Sequence, residues 1–520
     1  MLFHTLPFLI FMLIVLPGFF ALRRTRFWTL WLLTASYCFY AWWNPYYLLL
    51  VFYSTALDYL LVTLMDHCPP AGEGRATSND KTLKVAFGVA SVLALLLIFG
   101  AIIGPISLRP TCAGFAVLVL LMAIGAKQGS RRLWLLISLV NNLALLLFFK
   151  YARFVIENLN HLQGFHLPDP STLMPDQILY ALPVGISFFT FQSMSYTIDF
   201  YLGKVGRERN FLRFATFVCF FPQLMAGPIE RAKQMLPQFQ KAPEFRLKNL
   251  TDGFSLFLVG LFKKLALADY LSLYVERIYD NPGKFSAPEL MLATFAFAWQ
   301  IFFDFSGYTD MARGIAKMMG FNLILNFNNP YLATGLGDFW SRWHIGLSTW
   351  FRDYVYIPLG GNRRGEARTY LNLFITFLVS GIWHGANWTF AIWGILHAVG
   401  VILTRHLERS PRYRERVPRF LKQSGVFLYV CFAWIFFRAT SVSDAMLIIN
   451  RILSSVWSSP HIPALMLLLV GFVWCYEFAY ESRLRPLLRQ GYVRVALAVL
   501  MILYLCLCSS SGGTFIYFQF

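Results

Sequence analysis

Long apolar stretches constrain this chain more than any other feature. A helix that crosses a membrane needs about 20 mostly apolar residues. Such stretches recur along the whole sequence, near residues 2–22, 27–43, 45–64, 85–107, 111–126, 133–149, 179–199, 210–226, 252–272, 288–303, 369–383, 386–404, 424–437, 463–480 and 493–508. Some are too short to span alone, so we expect about 11–14 crossings together with re-entrant pieces. The sequence therefore predicts an all-α polytopic membrane protein.

The distribution of charge supports a membrane location. Charged residues make up only 14% of the chain, yet the net charge is +19. In a soluble protein that excess would suggest nucleic acid, whereas in a membrane protein Lys and Arg collect in cytoplasmic loops. We therefore predict no nucleic-acid partner, contact with membrane lipid, and cytoplasmic basic clusters. These clusters lie at 204–213, 231–248, 342–368 and 405–422.

The organisation of the chain indicates one transmembrane domain over residues 1–520. We find no separate soluble domain and no internal repeat, and paired repeats are frequent in transporters. Residues 66–131 mix charges, Pro and Gly with two apolar segments and are interpreted as an insertion. The eight Cys residues lack the spacing of a metal site, so no metal is predicted.

A histidine occupies the centre of the motif Gly381-Ile382-Trp383-His384-Gly385-Ala386-Asn387-Trp388. The flanking apolar segments have basic outer ends, which predicts a hairpin with His384 at its bend. The 15 residues of the first arm, 369–383, would reach about 22 Å, less than the roughly 30 Å bilayer core. An ionisable residue inside the bilayer is a candidate functional residue. The alternative is a histidine that only packs helices together.

A second cluster of chemistry-bearing residues runs from Phe339 to Tyr354 and contains Arg342, Trp343, His344 and Arg352. If it is one helix, Trp340, His344 and Leu347 share a face. The alternative is an amphipathic interfacial helix. The basic turn that follows, with Arg363 and Arg364, could hold an anionic nucleotide thioester.

A third cluster places Asp304 and Tyr308 four residues apart at the end of an apolar run. Asp304 could orient an imidazole or position a substrate hydroxyl. The alternative is a helix-end network in which Asp310 pairs with Arg313. With the two histidine motifs, this cluster defines a predicted catalytic core at 300–400.

These motifs resemble the membrane-bound O-acyltransferase superfamily, in particular its alginate O-acetylation branch. The resemblance covers residues 1–65 and 132–520 and rests on several runs, namely FQSMSYTIDFYLGK at 191–204, FPQLMAGPIER at 221–231, FDFSGYTDMA at 303–312, NFNNPY at 326–331, FWSRWHIGLSTWFRDYVYIPLGGNRRG at 339–365 and GIWHGANW at 381–388. It implies a ring of helices around a central tunnel, with His384 essential and His344 a second functional residue.

The resemblance also implies partners and a location. Acetyl-CoA would be the donor substrate, with no permanently bound cofactor. The acceptor would be an extracytoplasmic polysaccharide, such as an alginate-like exopolysaccharide, cellulose or peptidoglycan. A periplasmic partner with a serine hydrolase-like (SGNH) domain is expected, in the bacterial inner (cytoplasmic) membrane.

Acyl transfer from a thioester to a hydroxyl needs a base, and imidazole suits that task. We expect His384 to be the general base or a transient acyl carrier, and His344 to orient the donor or protonate the leaving thiolate. The predicted substrate- and donor-binding residues are Asp304, Tyr308, Arg342, Trp343, Arg352, Arg363, Arg364, Trp383 and Asn387. The alternatives are a lipid or protein O-acyltransferase of the same superfamily, and a transporter.

Overall fold

The computed structural model describes residues 1–68, 130–164, 166–173, 182–225, 227–454, 463–488 and 490–508, together with residues 88, 92, 95, 98 and 513. The regular structure of these residues is helical and contains no β-strand. Most of the insertion predicted at 66–131, including the apolar segment 111–126, lies outside the described residues.

Seven of the described helices are long and apolar enough to cross a membrane. They are Tyr46–His67, Arg131–Leu162, Ala287–Met318, Trp388–Leu407, Arg419–Arg438, Ala464–Glu481 and Gly491–Cys508. The predicted class, an all-α polytopic membrane protein, is confirmed. The total of 11–14 crossings and the ring around a tunnel stay predictions.

The first of two compact units comprises Met1, Pro7–Met225 and Ile229–Glu244. Its helices are α1 (Leu6–Leu22, whose first residue belongs to the second unit), α2 (Trp28–Ala41), α3 (Tyr46–His67), α4 (Arg131–Leu146), α5 (Ala152–Gln163), α6 (Ile186–Tyr201), α7 (Phe211–Cys219), α8 (Phe221–Leu224) and α9 (Ala232–Met235). A π-helical turn, Leu147–Tyr151, joins α4 to α5.

A buried carboxylate ties three helices of this unit together. Asp58 of α3 is fully buried. Its oxygens accept hydrogen bonds from Ser138 Oγ at 2.6 Å and Asn142 Nδ2 at 2.9 Å, both on α4, and from Ser193 on α6. A buried polar group is tolerated when it is hydrogen-bonded in this way.

The second unit comprises Leu2–Leu6, Ala226–Pro228 and Phe245–Phe520 and contains both predicted catalytic histidines. Its helices are α10 (Leu247–Phe262), α11 (Asp269–Tyr279), α12 (Ala287–Met318), α13 (Leu336–Arg342), α14 (Ile345–Phe351), α15 (Glu366–His384), α16 (Trp388–Leu407), α17 (Pro411–Arg416), α18 (Arg419–Arg438), α19 (Val442–Ser454), α20 (Ala464–Glu481), α21 (Arg485–Leu488) and α22 (Gly491–Cys508). Two π-helical turns, Lys263–Ala268 and Arg352–Tyr356, interrupt them.

Helix α12 packs closely against α10 within this unit. A Cβ on Gly307 of α12 would stand 2.8 Å from the Gly260 carbonyl oxygen, and one on Gly314 would stand 2.6 Å from that of Gly253. Small residues at such crossings let membrane helices approach backbone to backbone. A single domain over the whole chain stays a prediction.

Candidate acyl-transfer site

Helices α15 and α16 are joined by a three-residue turn that follows His384 directly. A Cβ on Gly381 would stand 3.0 Å from the Gly394 Cα, so this pair requires two glycines. Helix α15 has 19 residues and is therefore about 28 Å long. It is longer than the 15-residue arm expected from sequence because it begins at Glu366, within the basic turn. Length alone thus does not fix the depth of His384, which stays a prediction.

His384 ends α15 inside an aromatic enclosure and is only 4% exposed. Three rings stand edge-on to its imidazole, with centroids at 5.0 Å for Trp383, 4.9 Å for Trp393 and 5.4 Å for Phe437. Edge-to-face packing of this kind fixes ring orientation as well as burying area. Trp383 therefore serves first as a wall for His384.

Asn387 holds the turn after His384. Its side-chain oxygen accepts the Thr389 N–H at 3.0 Å and so caps α16, while its Nδ2 donates to the Thr440 carbonyl oxygen at 2.8 Å. This bonding is architectural. The predicted contact of Asn387 with substrate stays a prediction.

A buried polar stripe runs down α15 and ends at the histidine. Asn372, Thr376, Ser380 and His384 follow one another at intervals of four residues and are all buried. Residues four apart lie on the same face of a helix. Only His384 of these four residues is a predicted site residue, although the spacing of the stripe is visible in the sequence.

A cavity of about 210 Å³ lies along the stripe. Ser380, on its wall, is one helical turn, or about 6 Å along the axis, from His384. The cavity is lined by Thr376 and Ser380 together with Trp340, Leu347, Ser348, Phe351, Arg352, Tyr356, Leu373 and Phe377. It thus joins the Phe339–Tyr354 motif to the helix that carries His384.

The predicted donor-binding arginines differ in their relation to this cavity. Arg352 lines it from the π-helical turn and also bonds Asp353 at 2.9 Å. Arg363 and Arg364 are exposed on the turn before α15 and are not among its lining residues. Asn372 of the polar stripe donates to the Gly361 carbonyl oxygen at 2.9 Å, which ties that turn to α15.

His344 lies at a break between α13 and α14, so a continuous helix through this motif is wrong. Its φ is +43°, in the left-handed region, and it precedes the first residue of α14. In a continuous helix the backbone groups next to His344 would bond to each other, whereas here they bond to the segment 326–328. The Asn328 N–H donates to the Arg342 oxygen, and the Ile345 N–H donates to the Asn326 oxygen, each at 2.9 Å. Trp340 and Leu347 consequently reach the cavity wall while His344 is not among its lining residues.

The imidazole of His344 is fully buried. Its Nδ1 lies 3.1 Å from Asn326 Oδ1, and Phe305 stands edge-on to the ring at 4.7 Å. Burial lowers the pKa of His344 to about 3, so the ring is neutral at neutral pH.

Arg342 and Trp343 have packing roles beside His344. Arg342 Nε donates to Asp338 at 2.7 Å and its NH1 donates to Glu481 at 3.0 Å, which holds α13 to the end of α20. Trp343 stacks on Phe339 with centroids 5.6 Å apart. Their predicted contact with the donor stays a prediction.

Asp304 lies in the middle of α12, which continues to Met318 rather than ending near 303 as the apolar run suggested. Its Oδ1 is 2.7 Å from Lys264 Nζ, and the same Nζ is 2.8 Å from Asp269. The three groups form a buried charged cluster.

Tyr308, one turn further along α12, stacks on Phe3 at 4.7 Å. Asp310 pairs with Arg313 at 3.2 Å, as the alternative interpretation expected, although within the helix. Lys263 also binds Asp310, at 2.8 Å. Roles for Asp304 and Tyr308 in binding substrate stay predictions.

His397 received no role from the sequence, yet it belongs to the same site. It is fully buried on α16, and its Nδ1 accepts a hydrogen bond of 3.2 Å from Nε1 of Trp340, a cavity wall residue. Its ring lies 4.6 Å from that of Trp393, which also contacts His384. The only signal in the sequence was the concentration of three histidines between 340 and 400.

A buried histidine beside a largely apolar cavity, in a chain with several helices that can span a membrane, has the features of a membrane-bound transferase. The family model described as MBOAT, membrane-bound O-acyltransferase family, matches residues 164–447, which include the whole site. The chain therefore belongs to the membrane-bound O-acyltransferase family, and it is an O-acyltransferase. Family membership favours an enzyme over a transporter.

Individual relatives agree with this assignment. The chain is 36% identical to the probable alginate O-acetylase AlgI of Pseudomonas aeruginosa over 447 residues, 86% of this chain and 73% of that protein. It is 37% identical to a peptidoglycan O-acetyltransferase of Helicobacter pylori over 62% of this chain and 64% of that protein. A teichoic acid D-alanyltransferase of Streptococcus thermophilus is 28% identical over 53% of this chain and 69% of that protein.

Proposed function

We propose that this protein moves acetyl groups from cytoplasmic acetyl-CoA across the membrane for O-acetylation of an extracytoplasmic polysaccharide. Its alginate O-acetylase and peptidoglycan O-acetyltransferase relatives support acetyl as the group and a polysaccharide as the acceptor. The more distant D-alanyltransferase is also named for the modification of a polymer, teichoic acid. An alginate-like exopolysaccharide, cellulose and peptidoglycan are the candidate acceptors.

The cavity whose wall includes Ser380, one helical turn from His384, is the observation that carries this proposal. Its largely apolar walls suit the arm that bears a thioester, and Ser348, Thr376 and Ser380 offer hydroxyls to the amides of such an arm. Arg352 supplies a positive charge at the same cavity, matched to a polyanionic coenzyme. The donor would enter here with its acyl group directed toward His384.

The proposed chemistry needs a single base near the thioester carbon. His384 would take the proton of the attacking hydroxyl as the new C–O bond forms, after which the C–S bond breaks and the thiolate takes up a proton. General base catalysis contributes about 10²–10⁴-fold. Positioning of donor and acceptor in the water-poor aromatic enclosure would supply much of the remainder.

Location and partners follow from the same proposal. The basic turn at Arg363 and Arg364 would face the cytoplasm, where acetyl-CoA is made, in the inner membrane of a bacterium. The acceptor would arrive from the other face, presented by a periplasmic protein with a serine hydrolase-like (SGNH) domain.

The decisive experiment replaces His384 in purified protein reconstituted into proteoliposomes with radiolabelled acetyl-CoA. We expect His384→Ala to lower acetyl transfer by about 10²-fold or more with unchanged abundance. His406→Ala, an exposed histidine at the end of α16, is the matched control and should behave as wild type. Transfer by His384→Ala at the wild-type rate would refute the assignment.

A further inference from the structure

Asn326, in the NFNNPY motif, holds three consecutive residues around His344. It is 1% exposed. Its Oδ1 accepts the Gly346 N–H at 3.2 Å and lies 3.1 Å from His344 Nδ1. Its backbone oxygen accepts the Ile345 N–H at 2.9 Å. One asparagine therefore shapes the turn that carries the histidine.

The contact with Gly346 determines which atoms are donors. A backbone N–H can only donate, so the amide atom that it approaches must be the oxygen. The same oxygen can only accept from His344, so Nδ1 must carry a proton. In a neutral imidazole the lone pair then resides on Nε2.

The backbone at His344 shows that this arrangement is imposed by its surroundings. His344 and Asn329 are the two non-glycine residues with positive φ among those that the structure describes. A positive φ at a non-glycine residue is retained where several neighbouring contacts hold the backbone in place, and such residues are concentrated at functional sites. The bonds of Asn326 to Ile345 and Gly346 after His344, and the bond of Asn328 to Arg342 before it, are contacts of that kind.

We propose that Asn326 is a positioning residue that locks His344 in the Nδ1–H tautomer, so that Nε2 serves as a hydrogen-bond acceptor for substrate. This inference rests on the proposed function, because it assumes that His344 contacts donor or acceptor. An accepting Nε2 suits the hydroxyl of the acceptor, since His344 does not line the cavity proposed for the donor arm. It does not suit protonation of the leaving thiolate, so the inference selects orientation over acid catalysis for His344.

The first test reads the tautomer directly, without substrate. Solid-state NMR of protein labelled with ¹⁵N-histidine distinguishes a protonated Nδ1 from a protonated Nε2, and the signal that vanishes in His344→Gln identifies the residue. We expect protonation at Nδ1 in the wild type. Protonation at Nε2 would overturn the proposal whatever the enzyme acetylates.

The second test measures kinetics and spectra of Asn326 variants. Asn326→Leu should move the proton to Nε2 and lower kcat about tenfold or more while leaving the donor KM within about twofold. Asn326→Asp keeps an accepting oxygen and should retain the Nδ1–H signal and most of the activity. Asn322→Leu, an exposed asparagine upstream in the same connection, is the control and should behave as wild type.

The outcomes separate this proposal from the proposed function. If Asn326→Leu does not fold, the wild-type spectrum and the Asn326→Asp variant still decide the tautomer. A normal kcat in a folded Asn326→Leu, or loss of the Nδ1–H signal in Asn326→Asp, would overturn the positioning role. Failure of the proposed function would instead be seen as acetyl transfer that survives in His384→Ala.

Discussion

The indole of Trp393 stands edge-on to the imidazole of His384, with ring centroids 4.9 Å apart and planes inclined at 81°. Trp393 is fully buried and its ring is also 4.6 Å from that of His397. Because His397 bonds Trp340 at the cavity wall, one packed cluster connects the proposed base to the proposed donor site.

Trp393→Leu should therefore misplace the imidazole. We expect kcat to fall about 10- to 100-fold, because small displacements of a catalytic group are costly, while the KM for acetyl-CoA changes little. Steady-state kinetics in proteoliposomes measure this. Trp388→Leu is the control, because Trp388 is exposed although it lies only four residues after His384. An unchanged kcat for Trp393→Leu would contradict a positioning role for the cluster.

Gly381→Ala should destabilise the protein, because a methyl group there would meet the Gly394 backbone at 3.0 Å. We expect a loss of about 1–3 kcal/mol, as for overpacking elsewhere. Gly425→Ala is the control, because it is the same substitution at a site where no atom lies within 4 Å of the Cβ position. This variant should be neutral or slightly stabilising. Thermal unfolding in detergent compares the two, and equal melting temperatures would show that α15 and α16 tolerate separation.

Ser380→Phe should fill the cavity beside His384. We expect the apparent KM for acetyl-CoA to rise about tenfold, equivalent to roughly 1.4 kcal/mol of lost donor binding. Val379→Phe adds a similar ring at the neighbouring position of α15, where the side chain is 40% exposed, and should leave KM unchanged. Equal kinetics for the two variants would place the donor elsewhere.

Replacing Arg363 and Arg364 together with Gln should raise the donor KM more than it lowers turnover at saturating acetyl-CoA. The prediction follows from their exposure on the turn that Asn372 ties to the polar stripe. Arg412 and Arg416, exposed in the later basic cluster, provide a matched double variant. Oriented proteoliposomes given acetyl-CoA on one side at a time report sidedness. Activity with donor only on the periplasmic side would refute the proposed entry.

Cysteines introduced at Arg364 and Arg412 test the predicted topology directly. In a background without the eight native Cys residues, both positions should resist an impermeant thiol reagent added outside intact cells, because basic loops stay cytoplasmic. Ready labelling of both from outside would invert the orientation of the α15–α16 pair.

The sequence predicted what depends on local pattern. Apolar length identified the helical membrane class, and the basic outer ends of two apolar segments predicted that they pair with His384 at their junction, where α15 ends and α16 begins after a three-residue turn. The break at His344 could not be predicted, because it depends on Asn326, which lies 18 residues earlier and forms a turn with it only in three dimensions.

The charged partners were beyond the sequence for the same reason. Arg342 bonds Glu481, 139 residues away, and Asp304 bonds Lys264 on a different helix. Donor binding by Arg342 stays a prediction, and the structure adds that its guanidinium is bonded to the carboxylates of Asp338 and Glu481. These charged pairs join residues that are far apart in the chain, so composition and local charge alone do not predict them.

The hydrogen-bonded Asp58 constrains how the chain is made. Helix α3 leaves the ribosome before its donors, since Ser138 follows by 80 residues and Ser193 by 135. A lone aspartate at the centre of a spanning helix costs about 2.5–3.5 kcal/mol on translocon scales. The polar partners that offset this cost in the fold become available only when α4 and α6 pack against α3. The stability of α3 in the membrane is thus coupled to the presence of two helices made much later in synthesis.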